Sequence, residues 1–454
     1  MYSSFSVIDL KFEVAQKFMV KFERKLIYLL PLISISFEIV KSFLSETSQL
    51  TVIRNVLFFA YILYLLVKYF PMAIKFNIYL ILLMLYFVIL LTVKGAGVSQ
   101  FNYFSLAFLA KMLLPIGFIF AYSTTHIKDI NKNLLLTNIL FASSIIVFSV
   151  LGTGRNQYGS NSGFSVGYFN FSNIYIGSYL LIALPLIYAD AEKKWIKNLL
   201  LILGLVTVII LVLSVRRTAL VILIIGFLVY AYLYRDQLIK FAAQAVAVVV
   251  VIILAFPLYK GILMRQIEAR SNIMDRGVGD LEEETRYEET LAVYGERIQS
   301  PNILVFLFGD HVFDSKGNYD NGIHKERPIH LDMNIVLHGT GVVGLTLLIL
   351  YHIVLYRRFL QYRVKGIVEN ERLMAGAFMS MFWSHIFLLF SGGFFTITFN
   401  LISHLYMGSI LGVYKRAKQA KEAQQLMEIK NNFELSTFGK PLIYPNSEKS
   451  AAII

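Results

Sequence analysis

The sequence predicts an all-α fold: a polytopic membrane bundle of about twelve transmembrane helices, with a large, mostly helical extracytoplasmic loop between the ninth and tenth. Three observations carry that expectation. Of 454 residues, 57% are hydrophobic and 16% charged, and mean hydropathy is +0.64, more apolar than one water-soluble core of this size requires. The apolar residues gather in runs close to the roughly 20 that cross about 30 Å of hydrocarbon, without the alternation of a membrane barrel. From Lys260 to His330 the runs cease, and AVAVVVVIILAFPLY gives way to RQIEARSNIMDRGVGDLEEETRYEETLAVYGER.

Taken in order, the apolar runs fall at 25–45, 50–67, 72–93, 101–122, 134–152, 167–189, 196–214, 217–234, 238–259, 331–356, 373–391 and 394–414. The chain divides accordingly into a cytoplasmic segment 1–24, nine helices in 25–259, an outer loop 260–330, three helices in 331–414 and a cytoplasmic tail 415–454. Alternate connectors are basic, with Lys68 and Lys75, then Lys193, Lys194 and Lys197, then Arg235 and Lys240, then Arg357, Arg358, Arg363, Lys365 and Arg372. The intervening connectors hold little charge, so the positive-inside bias puts both termini in the cytoplasm and residues 260–330 outside. The stretch MYSSFSVIDLKFEVAQKFMVKFERK lacks the apolar core and cleavage site of a signal peptide, and the first span is expected to direct insertion. Past the last span, YKRAKQAKEAQQLMEIKNNF continues a helical, charged pattern.

Composition excludes several functions. The formal charge of +13 resides in connectors beside apolar runs, a pattern of topology and not of nucleic-acid binding. With no cysteine there are no disulfides, thiolate nucleophiles or Cys-ligated metals. No nucleotide-binding loop or internal repeat suggests an ATP-driven pump. His311, His324, Asp310, Asp314, Asp320 and Asp332 fit no zinc or EF-hand spacing, so neither a metal nor a cofactor is expected.

Certain polar residues depart from this apolar background. Arg216 and Arg217 sit in LVLSVRRTALVILII, on the outer side, where a tight turn needs no positive charge. Two readings stand side by side: a functional pair, or arginines snorkelling to the headgroups. Within the loop, LEEETRYEETLAVYGERI places Leu281, Tyr287, Leu291, Tyr294 and Ile298 near one helical face, predicting an amphipathic helix against the bundle. ILVFLFGDHVF then forms a short apolar stretch ending at Gly309, followed by a loop rich in breakers. Pro328 opens the tenth span, with His330, Asn334, Leu337 and Gly341 at helical spacing. Gly341 and Gly344 offer a small-residue packing surface. His330 reads either as an interfacial histidine or as a functional one. Glu38 and Lys41 are spaced to pair on the first span, while Lys111, His385, Asn400 and His404 are further polar groups within apolar runs.

In combination these residues resemble the O-antigen ligase and Wzy-type polysaccharide polymerase family. Arg216-Arg217-Thr218-Ala219 is similar to the family's Ser-Arg-small-Ala element before its large outer loop, with Arg217 on the family arginine. Arg286 ahead of helix 287–298, and VFLFGD around Gly309, look like the elements inside that loop. His330, Gly341 and Gly344 match its closing histidine and glycines, and GYFNFSNIYIGSYLLIALPL around Asn173 is similar to the start of a middle span. The resemblance covers roughly 160 to 414. Arg216 stands where the family has serine, and Leu331 where ligases commonly carry asparagine, which leans away from a strict ligase.

The resemblance implies a membrane glycosyltransferase of the bacterial inner membrane, joining oligosaccharide repeat units carried on polyprenyl pyrophosphate. His330 and Arg217 would be catalytic, the histidine as base for the acceptor hydroxyl and the arginine on the leaving pyrophosphate. Arg216, Arg286, Asn334 and Asn173 would bind pyrophosphate or glycan. The implied partners are the lipid-linked donor, a glycan acceptor, membrane lipid and a chain-length regulator protein. Two rivals accompany this expectation: a ligase moving finished glycan to a lipid A core or protein, and a transporter of the same lipid.

Overall fold

The computed structural model describes residues 22–23, 25–41, 43, 48–95, 114–115, 117, 119, 121, 126–152, 164–166, 174–275, 280–310, 329–393 and 397–438. Every regular element among them is helical: α1 (Ser48–Phe76), α2 (Ile78–Gly95), α3 (Ile127–Leu151), α4 (Tyr175–Asp190), α5 (Lys194–Leu213), α6 (Arg217–Leu233), a 3-10 turn (Arg235–Gln237), α7 (Leu238–Asp275), α8 (Asp280–Ile298), α9 (Ile303–Phe308), α10 (Asp332–Tyr362), α11 (Glu371–Ser391) and α12 (Ile397–Phe438). Residues within 22–43 add a further helical stretch ahead of α1. Ile53–Phe76 of α1, with α3, α5, α10 and α11, are long and apolar enough to cross a membrane; α4, α6 and Ile78–Val93 of α2 are apolar but shorter.

The bundle is built around α4, whose buried residues lie on every side of the helix, as expected for one with apolar neighbours all round. It packs against α3, α5, α6, α11 and α12, while α10 packs against α2, α8, α9, α11 and α12. Gly177 brings α4 against Phe141 and Leu211. Large apolar side chains face outward along whole helices, among them Leu201 and Ile202 on α5 and Ile253 and Leu254 on α7. Such continuous apolar exterior suits lipid contact far better than water. Interior polar groups join helices to one another: Asn77 donates to the Tyr351 carbonyl at 3.0 Å, Ser34 meets Thr398 at 2.7 Å, and Ser178 donates to the Ala219 carbonyl at 3.0 Å.

Several boundaries differ from the sequence reading. The basic connector expected near 68–71 lies inside α1, which passes Pro71 with a kink at Tyr69 (φ −112°, ψ 19°) and ends only at Asn77. There the Asn77 amide turns to Tyr351, and its oxygen accepts from the Leu80 N–H at 3.4 Å. The expected boundary at Lys260 is not a break, because α7 runs unbroken into the polar segment as far as Asp275. Composition changes there but helix propensity does not. By contrast, α12 continues past 414 to Phe438, as the charged helical pattern beyond the last span leads one to expect. Glu38 pairs with Arg54 of α1 and not with Lys41, bringing two buried charges together across helices. Lys111 lies outside the described residues.

Candidate active site

α8 docks on the start of α10 through a small apolar contact of Val293 with Ile329 and Leu337. The face it buries is Glu289, Val293 and Arg297, spaced four apart, while Tyr287, Leu291 and Ile298 are exposed. Three residues of the apolar face expected from the sequence are therefore turned outward, while Tyr294 of that face packs against the contact. A carboxylate occupies the buried face because α10 begins there with main-chain donors that need an acceptor.

Glu289 is 1% exposed. Its Oε2 accepts from the His330 N–H at 3.0 Å, and its Oε1 from the Leu331 N–H at 3.1 Å and from Asn334 Nδ2 at 3.3 Å. The N-cap residue, Leu331, offers no side-chain cap, and a carboxylate from α8 serves, placed where the helix dipole favours negative charge. Burial alone would raise the Glu289 carboxyl, but His330, the two main-chain donors and Asn334 together outweigh it and hold it below the ordinary carboxylate range.

The His330 ring is 45% exposed, with Nδ1 3.6 Å from Glu289 Oε2. That distance is too long for a good hydrogen bond yet within ion-pair range. Nε2, across the ring from the carboxylate, is the nitrogen farther from Glu289. Asn334 is 2% exposed and also donates to Thr290 Oγ1 at 3.0 Å, so its amide tethers α8 to α10.

Arg216 and Arg217 stand at the same end of the molecule. α6 and α11 run antiparallel, since Arg372 at the start of α11 bonds Asp236 just past the end of α6. The start of α6 therefore lies beside the end of α11, where Gly392 (φ +82°) lies so close to the His330 carbonyl that a Cβ would come within 2.6 Å. Arg217 is exposed and Arg216 half-buried. The turn presenting them holds Val215 at φ +49°, a conformation β-branched residues rarely adopt and one that the surrounding packing must impose.

A second glycine contact fixes α9 on α10. Gly341 (φ +64°, ψ −168°) kinks α10, and its Cα lies against the Leu307 carbonyl and Gly309. Gly309 (φ +65°) reciprocates, with a Cβ there reaching 2.5 Å from the Thr340 nitrogen, and the Asp310 N–H donates to the His338 carbonyl at 2.9 Å. Asn302 caps the short α9 by accepting from the Leu304 N–H at 3.0 Å. Gly341 thus receives α9, whereas Gly344 lies over Thr340 and Tyr86. Tyr86 of α2 in turn donates to the Thr340 carbonyl at 2.6 Å.

Of the residues singled out in the sequence, His330, Asn334, Arg216 and Arg217 thus share one end of the bundle. Arg286 falls within α8, but its side chain lies outside the described ones, and Asn173 lies outside the described residues altogether. The sequence reading passed over Glu289 and Arg297. Arg297 is 5% exposed; burial lowers its guanidinium from the ordinary value, against the opposing pull of Glu296 and Asp310. The shared spacing of Glu289, Val293 and Arg297 was the one available signal.

No protein-family model matches the chain, and no curated protein does.

Proposed function

We propose that the protein is a membrane glycosyltransferase that polymerises polyprenyl-pyrophosphate-linked oligosaccharide repeat units into O-antigen, capsular or exopolysaccharide. On this reading about twelve helices cross the bacterial inner membrane, both termini are cytoplasmic, and α8 and α9 lie on the extracytoplasmic side. The observation that carries the reading is a half-exposed histidine, oriented by a buried carboxylate, at the same end of an apolar bundle as two arginines.

The acceptor sugar hydroxyl gives its proton to His330 Nε2 as its oxygen bonds to the anomeric carbon of the donor. The bond from that carbon to pyrophosphate breaks, and the electron pair leaves on the phosphate. Arg217, with Arg216 beside it, supplies the planar donors that pair with phosphate oxygens at the membrane surface. Glu289 touches neither reactant. It is a positioning residue that fixes the main chain at His330 and faces the ring's Nδ1 at ion-pair distance.

Purified protein supplied with one defined lipid-linked repeat tests the reading. Elongation without any other acceptor supports a polymerase. Transfer only when a lipid A core or protein acceptor is added indicates a ligase, and movement of intact lipid-linked repeat across a bilayer without transfer would discard both.

A further inference from the structure

At the opposite end of α10 from His330 there is a cavity of about 370 Å³ between the ends of α6 and α10 and the start of α11. Arg235, Arg363, Lys365 and Arg372 line it, with Asp236 and Glu371. Both carboxylates are already engaged: Arg372 Nη1 bonds the two oxygens of Asp236 at 2.8 and 2.6 Å, and Arg363 Nε bonds Glu371 at 2.6 Å. Arg235 and Lys365 have no ion-pair partner among the described residues, so the cavity retains two positive charges. Arg235 is held over the Tyr232 ring, 5.8 Å from its centroid.

A second observation indicates what neutralises these charges. Ile224, Leu228 and Tyr232, spaced four apart on α6, are 55%, 59% and 63% exposed, forming an apolar ridge that leads along the helix to the cavity. A free anion would use the cations and ignore the ridge. A molecule with a phosphodiester head and acyl chains would use both.

We propose that this cavity binds the headgroup of an anionic phospholipid, its phosphate against Arg235 and Lys365 and its chains along Ile224, Leu228 and Tyr232. The two existing ion pairs act as walls: they fix the arginine forks of Arg363 and Arg372 and leave the other cations to the ligand. Basic pockets at helix ends in the headgroup layer suit such lipids, each cation near the surface strengthening binding about fivefold. The site is remote from His330 and does not depend on the glycosyltransferase reading.

The test uses the full-length protein in phosphatidylcholine nanodiscs containing a minor fraction of phosphatidylglycerol, with retained lipid measured by native mass spectrometry. Wild type should retain phosphatidylglycerol in preference to phosphatidylcholine. Arg235→Gln and Lys365→Gln should each lower that preference about fivefold, and the double variant about thirtyfold. Arg235→Lys combined with Lys365→Arg keeps both charges and should hold most of the preference, which separates charge from folding. Equal retention in wild type and the double neutral variant overturns the proposal. Binding of inorganic pyrophosphate that displaces phosphatidylglycerol at equal or lower concentration also overturns it, in favour of a soluble phosphate ligand.

Discussion

Helix α10 begins at Asp332, next to Glu289 and His330, and ends 31 residues on beside Arg363, and charge is handled differently at its two ends. At the first, a single buried carboxylate collects two main-chain N–H groups and an amide, with the His330 ring at ion-pair distance beside it. At the second, the carboxylates are matched by Arg363 and Arg372, and Arg235 and Lys365 remain at an open cavity. The first arrangement fixes geometry, which a proton transfer needs. The second supplies attraction without much geometric demand, which suits a fluid headgroup.

Substitutions at the two ends should therefore separate rate from lipid preference. The largest effect is expected for His330→Ala, which should lower elongation by about 10²–10⁴-fold while leaving membrane insertion intact, read from glycan length on gels and from protein in the membrane fraction. A normal glycan ladder would remove His330 from the chemistry. Arg217→Ala should cost about 10²–10³-fold, with Arg217→Lys intermediate because it keeps charge but loses the fork. Unchanged turnover in Arg217→Ala would leave the arginine as a headgroup anchor.

Glu289→Ala orphans several donors and should destabilise the start of α10 by about 1–3 kcal/mol, lowering kcat more than it raises KM. Glu289→Gln, which keeps one acceptor oxygen, should recover part of both losses. A change in KM alone would contradict a positioning role. Gly341→Ala forces a Cβ into the Leu307 and Gly309 main chain at positive φ, for an expected loss of about 1–3 kcal/mol in thermal unfolding and faster proteolysis near α9.

The smallest effect is one of pH. The folded Glu289 carboxyl is held below the ordinary value of 4.5, so its ionised form contributes stability that is complete above that value and is lost as pH falls through the lowered one. Hydrogen exchange at His330 and Leu331, corrected for intrinsic rate, should rise in acid in the wild type and lose that dependence in Glu289→Gln. The same acid dependence in both proteins would show that another group is responsible.

The all-helical, apolar character of the described residues was legible in the sequence because apolar runs and helix length share one physical cause. Ends were less so. Pro71 and Lys260 look like punctuation in a one-dimensional reading, yet α1 kinks around one and α7 ignores the other. At the candidate site, His330 and the arginine pair stood out because polar groups are conspicuous among apolar neighbours. Glu289 did not, since it sits in a helix crowded with glutamates and only the main-chain donors at the start of α10 distinguish it. Acceptors for distant N–H groups leave little trace in local periodicity. For the same reason the Glu38 partner was sought within one helix and lies on the next.

The contact of Gly309 with Gly341 has a further consequence for protein engineering. Asp310 and Ile329 are both fixed to the first turns of α10, Asp310 through its N–H to the His338 carbonyl and Ile329 against Val293 and Leu337. Any insertion between those two anchors must keep both in place if the start of α10 is to hold its geometry.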